Sequence, residues 1–232
     1  MPRRERPRVT GFPVHIIQRG NNRQACFFAE ADYRFYLDRL AEFATRFDCE
    51  VHAYVLMTNH VHLLVTPWLA RGLSLLMKFL GQRYAQYANR AYRRSGTLWE
   101  GRFRSSLVRS PRYVLGCYRY LELNPVRARM VPHPADYPWS SYAFNAEGRQ
   151  AQLLTPHGEY LALGLTEESR RSAYRALFAT ELDSKLLREI RTAAHGERAL
   201  GSGRFQREIE AALKRRASPR GPGRTAEFSG LV

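Results

Sequence analysis

The chain has 232 residues, 44% of them hydrophobic, which suits one domain with an appendage or two small domains and argues against wholesale disorder. Lysine and arginine number 37 against 21 acidic residues, and the formal charge of +16 attracts polyanions, nucleic acid first and anionic membranes second. No apolar run approaches the roughly 20 residues of a membrane-spanning helix, and no apolar segment follows the basic N-terminus as in a secretory signal. The three cysteines, Cys26, Cys49 and Cys117, are too scattered for a disulfide framework or a cysteine zinc site, so we expect a reduced, cytoplasmic protein.

Strand-like and helix-like patterns alternate through the first 125 residues. Strands are predicted at 14–19, 50–57 and 60–66, where β-branched residues gather between turn signals, and a fourth strand is predicted at 98–108. Helices are predicted where apolar residues recur every three or four positions, at 31–47, 72–92 and 111–124, and we expect Pro125 to stop the last of these. The order β-α-β-β-α-β-α predicts an α+β fold of ferredoxin-like type, with helices packed on a four-stranded antiparallel sheet.

The pattern changes after Pro132. Proline and aromatic residues at 133–142 predict an ordered strap, and helices are predicted over 166–194 and 204–214. Residues 214–224 contain two prolines, two glycines and five basic side chains with no acidic residue, which predicts a flexible basic tail. We therefore expect a domain over residues 1–145 and a helical extension over 146–232 that ends in this tail, from about 214 to 232.

Two histidines open the predicted strand at 60–66. Because side chains two positions apart point to the same side of a strand, His60 and His62 project together, while Val61 faces the opposite layer. Two imidazoles on a rigid strand can chelate a divalent metal, although the pattern also fits histidines on a half-solvated face. A third ligand would have to come from elsewhere in the chain.

Tyr120 and Asn124 are four positions apart and share one face of the third predicted helix. A tyrosine phenol can act as a covalent nucleophile, and an asparagine carbonyl oxygen can ligate a hard cation. The alternative is that Tyr120 packs in the core, as a tyrosine at a helical interval usually does. Glu122 points off this face, and we expect it to be solvated.

Arginine is concentrated between residues 83 and 120, where nine arginines stand against one acidic residue, Glu100. Arginines with interleaved aromatic rings suit single-stranded or irregular nucleic acid, whose bases are splayed, although a solvated basic face is the simpler alternative. We predict DNA contacts from these arginines and from the start of the tail. The residues are Arg83, Arg90, Arg93, Arg94, Arg102, Arg104, Arg109, Arg112, Arg119, Lys214, Arg215 and Arg216.

Four motifs follow one another in an order that resembles a known family. They are Asn-His-Val-His-Leu-Leu at 59–64, Leu-Trp-Glu-Gly-Arg-Phe at 98–103, Arg-Tyr-Leu-Glu-Leu-Asn-Pro-Val-Arg-Ala at 119–128 and Tyr-Pro-Trp-Ser-Ser-Tyr at 137–142. Over about residues 10–145 the chain resembles the single-tyrosine transposases of the insertion-sequence 200/605 type, which belong to the HUH (histidine–hydrophobic–histidine) nucleases. It resembles most closely their domesticated relatives, the REP-associated tyrosine transposases.

This resemblance implies a metal-dependent, site-specific endonuclease and strand transferase that acts on single-stranded DNA with REP- or BIME-like hairpins. The reaction would pass through a 5′-phosphotyrosine at Tyr120, which the spacing to Asn124 favours over the neighbouring Tyr118. The resemblance also implies that His60, His62 and Asn124 hold one Mg²⁺ or Mn²⁺. A nucleoid-associated cytoplasmic protein is expected, without a membrane partner and as either a monomer or a homodimer.

Two other functions stay open. One is a hairpin-binding protein that keeps the fold and has lost transposase turnover. The other is a metal phosphohydrolase that uses water as its nucleophile and leaves Tyr120 with a structural role. A covalent protein–DNA adduct would separate the transposase from both.

Overall fold

The computed structural model describes residues 10–196 and 199–213, so the predicted tail with Lys214, Arg215 and Arg216 lies outside the described residues. Within the described residues, four strands form one antiparallel sheet in the order β2-β3-β1-β4. They are β1 (Val14–Arg19), β2 (Cys49–Met57), β3 (His60–Pro67) and β4 (Arg104–Leu107). The predicted α+β fold with a four-stranded antiparallel sheet is confirmed.

Helices cover both faces of this sheet. They are α1 (Glu30–Arg46), α2 (Gly72–Ala91), α3 (Pro111–Glu122), α4 (Asn124–Arg127), α5 (Tyr142–Glu147), α6 (Gly158–Leu161), α7 (Glu167–Ala176), α8 (Ser184–Gly196) and α9 (Gly203–Leu213). Short 3₁₀ turns occupy Asn21–Arg23 and Pro134–Asp136.

The alternation of side chains gives the sheet two buried faces. Ile16, Val61 and Leu63 lie on one face, in a core cluster that α1 and α2 complete. Val55 and Leu64 lie on the other face, in a second cluster that includes residues of α3 and α8. Because His60 and His62 alternate with Val61 on β3, they belong to the face that α3 covers.

The end of α3 differs from the prediction. The helix stops at Glu122, and Pro125 lies in the first turn of the short helix α4 rather than acting as the stop. Proline is tolerated there because the N–H groups of a first helical turn have no acceptor within the helix. The chain therefore continues in helical turns past Asn124.

The long helix predicted over 166–194 is wrong, because the structure has two helices there, α7 and α8. The carboxylate of Asp183 accepts a hydrogen bond from the backbone N–H of Lys185 at 3.0 Å and so caps the start of α8. A side chain that hydrogen-bonds to nearby backbone in this way competes with the hydrogen bonds of a continuous helix. The helix is therefore interrupted although the amphipathic pattern of the sequence continues.

The strand predicted over 98–108 is shorter in the structure, since only Arg104–Leu107 pair with β1. Gly101 has φ +136°, a backbone conformation that L side chains rarely adopt, and it bends the preceding segment. The bend keeps Trp99 and Phe103 buried, and the Trp99 indole donates a hydrogen bond to the carbonyl of Gly81 at 3.1 Å.

The strap predicted at 133–142 is confirmed, and it runs along the outer edge of β2. The backbone N–H of Leu56 donates to the carbonyl of Trp139 at 2.9 Å, and the Tyr137 hydroxyl donates to the Leu56 carbonyl at 2.6 Å. The strap thus covers an edge whose backbone groups would otherwise stay unpaired.

The helices after residue 145 pack on the same core as the sheet. Tyr160, Tyr174 and Ile190 share a buried cluster with Tyr118 of α3, and Phe205 of α9 lies in the other cluster. The division of the chain at residue 145 stays a prediction. Among the described residues, no helix combines the length and apolar character that crossing a bilayer requires.

Candidate active site

His60 and His62 lie at the start of β3, next to the turn that follows β2. Their side chains project side by side, as their spacing predicts. Their ring centroids are 4.9 Å apart, and the ring planes are nearly perpendicular at 80°. His62 is 3% exposed and His60 is half-buried. The pair therefore lies at the border between the core and solvent, with His60 the more exposed of the two.

Helix α3 brings Tyr120 to this pair. The Tyr120 ring meets His62 edge-on, with ring centroids 5.7 Å apart at 83°. Tyr120 is 8% exposed and belongs to the buried cluster of α3. The sequence left two alternatives for Tyr120, a core side chain or a phenol beside the histidines. In the structure the Tyr120 side chain is both.

Tyr118 lies on a different side of α3, because two helical positions rotate a side chain by about 200°. It is fully buried between Tyr160 and Tyr174, at centroid distances of 6.3 and 6.0 Å. Its hydroxyl accepts a hydrogen bond from the backbone N–H of His157 at 3.3 Å. Of the two tyrosines, α3 brings Tyr120 to the histidines.

A third histidine, His15 of β1, completes the cluster. Its Nε2 lies 2.9 Å from Nδ1 of His62, and the two rings stack with centroids 5.2 Å apart at 17°. His15 is 1% exposed and also meets the Tyr120 ring edge-on at 5.7 Å. The position of His15 on a strand indicates a core residue. Its neighbour on the adjacent strand cannot be inferred from the sequence without knowledge of the strand order.

Arg127 covers the other side of the tyrosine. Its guanidinium carbon lies 4.4 Å from the centre of the Tyr120 ring, and Nη2 donates to the Tyr120 carbonyl at 2.6 Å. Burial lowers the pKa of Arg127 to about 10, which leaves the group a cation at neutral pH. The sequence alone did not single out Arg127, although this residue is seven positions after Tyr120 and therefore on the same helical face.

Asn124, the remaining predicted ligand, is half-buried at the start of α4, one turn beyond Tyr120. Among residues 10–196 and 199–213, no group of three or more His, Cys, Asp or Glu side chains could hold a metal ion. A metal at the histidines would therefore need an amide oxygen or the substrate itself to complete its ligands. The predicted set of two imidazoles and one amide is of this kind.

The environment of the histidines suits ligands for a cation. Burial, together with the neighbouring Arg19 guanidinium, lowers the pKa of His60 to about 4. Burial also lowers the pKa of His62 well below its usual range, and the nearby His15 and His60 rings contribute further. Both rings are therefore neutral at physiological pH, the form in which imidazole binds metals. Nδ1 of His60 lies 2.6 Å from Oδ1 of Asn59, which leaves its Nε2 for a ligand.

Glu122 is not solvated, contrary to the expectation from its position in the helix. It is fully buried, and its carboxylate accepts hydrogen bonds from the Ser141 hydroxyl, the Asn145 amide and the Tyr174 hydroxyl at 2.6, 2.8 and 2.6 Å. Helices α5 and α7 supply two of these donors and cover the side of α3 that the sequence alone leaves open. The carboxylate ties the tyrosine-bearing helix to the later part of the chain.

The nine arginines predicted to contact DNA do not form a single surface. Arg83 and Arg90 are exposed on α2, whereas Arg112 and Arg119 lie on α3, across the sheet. An open groove of about 940 Å³ between α1 and α2 is lined by Phe35, Arg83 and Arg90 among others. Its basic side chains suit a polyanion.

Arg112 and Arg119 contact the segment between α7 and α8. Arg112 forms an ion pair with Asp183 at 2.8 Å. Arg119 donates to the carbonyl of Thr180, and its guanidinium lies over the ring of Phe178 at 5.9 Å. These contacts hold the segment between α7 and α8, so both arginines have a structural role that the sequence did not indicate.

The remaining arginines follow the edge of the sheet and the end of α2. Arg93 is exposed, Arg94 lies over Phe28 at 5.6 Å, and Arg109 lies over Phe205 at 5.2 Å. Arg102 and Arg104 are exposed near the start of β4.

A small basic pocket adjoins the histidines on the β1–β4 side of the sheet. Its volume is about 120 Å³, and its lining includes Arg19, Arg102, Arg104 and Glu100. Arg19 pairs across the strands with His60. The pocket therefore places positive charge directly beside the histidine pair.

Comparison with known proteins gives two kinds of similarity. The family model described as "Transposase IS200 like" matches residues 8–123. No curated protein sequence matches the chain. The solved structure of a REP-associated tyrosine transposase bound to a REP hairpin is similar at 17% identity and a TM-score of 0.56, over 68% of this chain and 93% of that one. A provisionally assigned transposase from Deinococcus radiodurans R1 aligns at 22% identity and a TM-score of 0.37, over 52% of this chain and 96% of that one.

Proposed function

This chain belongs to the family of IS200-like transposases, and on that premise we propose that it cuts and rejoins single-stranded DNA at specific sites beside hairpins. The observation that carries the proposal is the position of Tyr120, whose ring lies against His62 at 5.7 Å although the two residues come from different layers of the fold. A phenol and two imidazoles that lie beside one another can act on the same phosphodiester.

In the proposed reaction the Tyr120 oxygen attacks the scissile phosphorus in line with the leaving 3′ oxygen. The new bond joins the tyrosine oxygen to phosphorus, and the bond from phosphorus to the 3′ oxygen breaks. The phenol gives up its proton, and the departing 3′ oxygen gains one. The 5′ end of the downstream strand stays on Tyr120, and another 3′ hydroxyl can reverse the reaction and so transfer the strand.

His60, His62 and Asn124 are the residues that would hold the divalent cation, Mg²⁺ or Mn²⁺. When bound, the cation supplies charge that stabilises a non-bridging oxygen of the phosphate. The neutral imidazoles have lone pairs to donate, and the amide oxygen of Asn124 is the donor type that Mg²⁺ and Mn²⁺ prefer. The chain's own contribution is to orient the two rings and to keep solvent away from most of their surface.

Two cationic features lie near the site, one at the tyrosine and one beside the histidines. The Arg127 guanidinium packs on the phenol ring at 4.4 Å and holds the orientation of the ring. Beside the histidines, the pocket with Arg19, Arg102 and Arg104 is proposed to receive a phosphate next to the scissile one. The strand would therefore run across the exposed end of the sheet, from this pocket toward Tyr120.

The proposed partner is DNA with REP-like hairpins, because the fold matches that of a protein whose solved structure holds a REP hairpin. The exposed arginines of α2 and the tail that begins at Lys214 are proposed as additional phosphate contacts. A cytoplasmic, nucleoid-associated location is part of the proposal and rests on the unpaired cysteines and the charge of +16. The proposal includes both a monomer and a homodimer as the form that acts on DNA.

The test incubates the full chain with Mn²⁺ and single-stranded hairpins from its own genomic neighbourhood, labelled at the 3′ end. A denaturing gel should show labelled DNA attached to the wild-type protein. Tyr120→Phe should bind the hairpins as the wild type does and form no adduct, whereas Tyr118→Phe, which alters the neighbouring phenol on the same helix, should still form one. Cleavage without an adduct would instead support the water-dependent phosphohydrolase, and binding without cleavage would support the non-catalytic hairpin binder.

A further inference from the structure

We propose that His15 is a positioning residue, which fixes the ring nitrogen that His62 presents to a bound cation. The inference rests on the proposed function, since it concerns the metal ligands named there. It goes beyond that function because His15 would not touch either the metal or the DNA.

The geometry around His15 is tightly defined. His15 lies on β1, where Ile17 pairs directly with His62, so His15 is the diagonal neighbour of His62 on the same face. Its Nε2 is 2.9 Å from Nδ1 of His62, a hydrogen-bond distance, and the rings stack at 17°. His15 is 1% exposed, so water cannot easily replace this contact.

The contact between the two rings forces a choice of tautomer. In a neutral imidazole one nitrogen carries the proton and the other has a lone pair. If Nδ1–H of His62 donates to Nε2 of His15, then Nε2 of His62 keeps its lone pair for a cation. If His15 donates instead, His62 carries its proton on Nε2 and cannot bind a metal there.

His60 has a matching arrangement, which supports the first alternative for His62. The Asn59 amide nitrogen donates to the carbonyl of Arg23 at 3.0 Å, and this leaves Oδ1 of Asn59 facing Nδ1 of His60 at 2.6 Å. An amide oxygen only accepts hydrogen bonds, so Nδ1 of His60 is the donor and Nε2 has the lone pair. An acceptor at Nδ1 of each ring would thus leave Nε2 of both histidines with a lone pair.

His15 also contacts the proposed nucleophile. Its ring meets the Tyr120 ring edge-on at 5.7 Å, the same centroid distance as that from His62 to Tyr120. One buried side chain therefore touches both a ligand and the phenol. Replacement of His15 should disturb the relative position of the two without removing either.

The first test measures Mn²⁺ alone binding to the full chain by calorimetry, without DNA. His15→Leu removes the acceptor and should weaken Mn²⁺ binding by about 10- to 100-fold, the usual effect of losing a hydrogen-bond partner of a ligand. His15→Gln restores an acceptor oxygen and should recover part of the affinity. His52→Leu is the matched control, because His52 is equally buried at 1% exposure but bonds to Thr66 and Thr155 instead.

Equal Mn²⁺ affinity of the wild type and His15→Leu would overturn the inference, and so would an equal loss in His52→Leu. If the wild type itself binds no Mn²⁺, the proposed metal site fails.

The second test still decides the role of His15 in that case, and it needs no variant. Long-range ¹H–¹⁵N correlation spectra of the metal-free chain should show His62 protonated on Nδ1 and unprotonated on Nε2, and the opposite tautomer would contradict the proposal.

Discussion

Glu122 allows a quantitative test of how the tyrosine-bearing helix is held. Burial raises the pKa of this carboxyl from 4.5 to about 7, even though three side chains donate hydrogen bonds to it. The folded protein therefore keeps a proton on Glu122 between about pH 4.5 and pH 7, whereas the unfolded chain has lost it. The stability that this group contributes is present at low pH and is lost as the pH rises through the folded-state pKa.

The magnitude follows from the shift. A change of one pKa unit corresponds to about 1.4 kcal/mol, so raising the pH from 5 to 8 should lower the contribution of Glu122 to the free energy of unfolding by about 2 to 3 kcal/mol. Glu122→Gln is neutral at every pH and lacks this dependence. Relative to the wild type, the variant should therefore become more stable by that amount as the pH rises over this interval.

The assay is urea denaturation of both proteins at several pH values between 5 and 8. Taking the difference between the two proteins cancels the titration of all other groups. Glu147→Gln, which removes an exposed carboxylate of α5, is the control and should differ from the wild type by a constant amount. If the difference for Glu122→Gln is also constant with pH, the carboxyl does not titrate as a buried group and the reasoning is refuted.

Three further predictions concern the site and the DNA surface. Arg127→Met should slow formation of the covalent adduct by up to about 100-fold while hairpin binding is unchanged, because the ring loses the cation that orients it; an unchanged rate in single-turnover gels would contradict this role. His60→Ala should bind hairpins normally in a mobility-shift assay and form no adduct with Mn²⁺, and normal adduct formation would place the metal elsewhere. The affinity for hairpins should fall steeply with salt, and the double variant Arg83→Ala and Arg90→Ala should reduce the logarithmic slope by about 1 to 2 if both contact phosphates; an unchanged slope would remove α2 from the DNA surface.

The strands of the sheet and the face that each site residue occupies could be predicted from local periodicity, whereas the approach of Tyr120 to the histidines was implied only by the resemblance to the transposase family. Alternation on the strand at 60–66 places the two histidines on one face, and the four-residue spacing places Tyr120 and Asn124 on one helical face. Neither conclusion requires knowledge of a distant part of the chain. Both therefore follow from a single sequence.

The remaining residues of the site depend on contacts that local patterns do not contain. His15 and His62 are 47 positions apart, and their contact requires β1 to lie beside β3 in one particular register. Arg127 was missed because a proline at 125 predicts the end of a helix, whereas the chain makes another helical turn. Glu122 is buried only because α5 and α7 return to cover α3.

The arginines illustrate the same point for charge. Composition predicts a basic protein, but the clustering of nine arginines at 83–119 does not show which face of the fold each one occupies. The sheet separates α2 from α3, and Arg112 and Arg119 have partners within the chain. Local charge density thus identifies the class of ligand and does not identify the binding surface.

The most direct test of the account is to identify the amino acid that becomes attached to DNA. The wild-type chain is incubated with Mn²⁺ and a hairpin substrate, the adduct is digested with protease and nuclease, and the modified peptide is sequenced by mass spectrometry. The account predicts a nucleotide joined through its 5′ phosphate to Tyr120. Attachment to any other residue, Tyr118 included, or cleavage that leaves every tyrosine unmodified would contradict it.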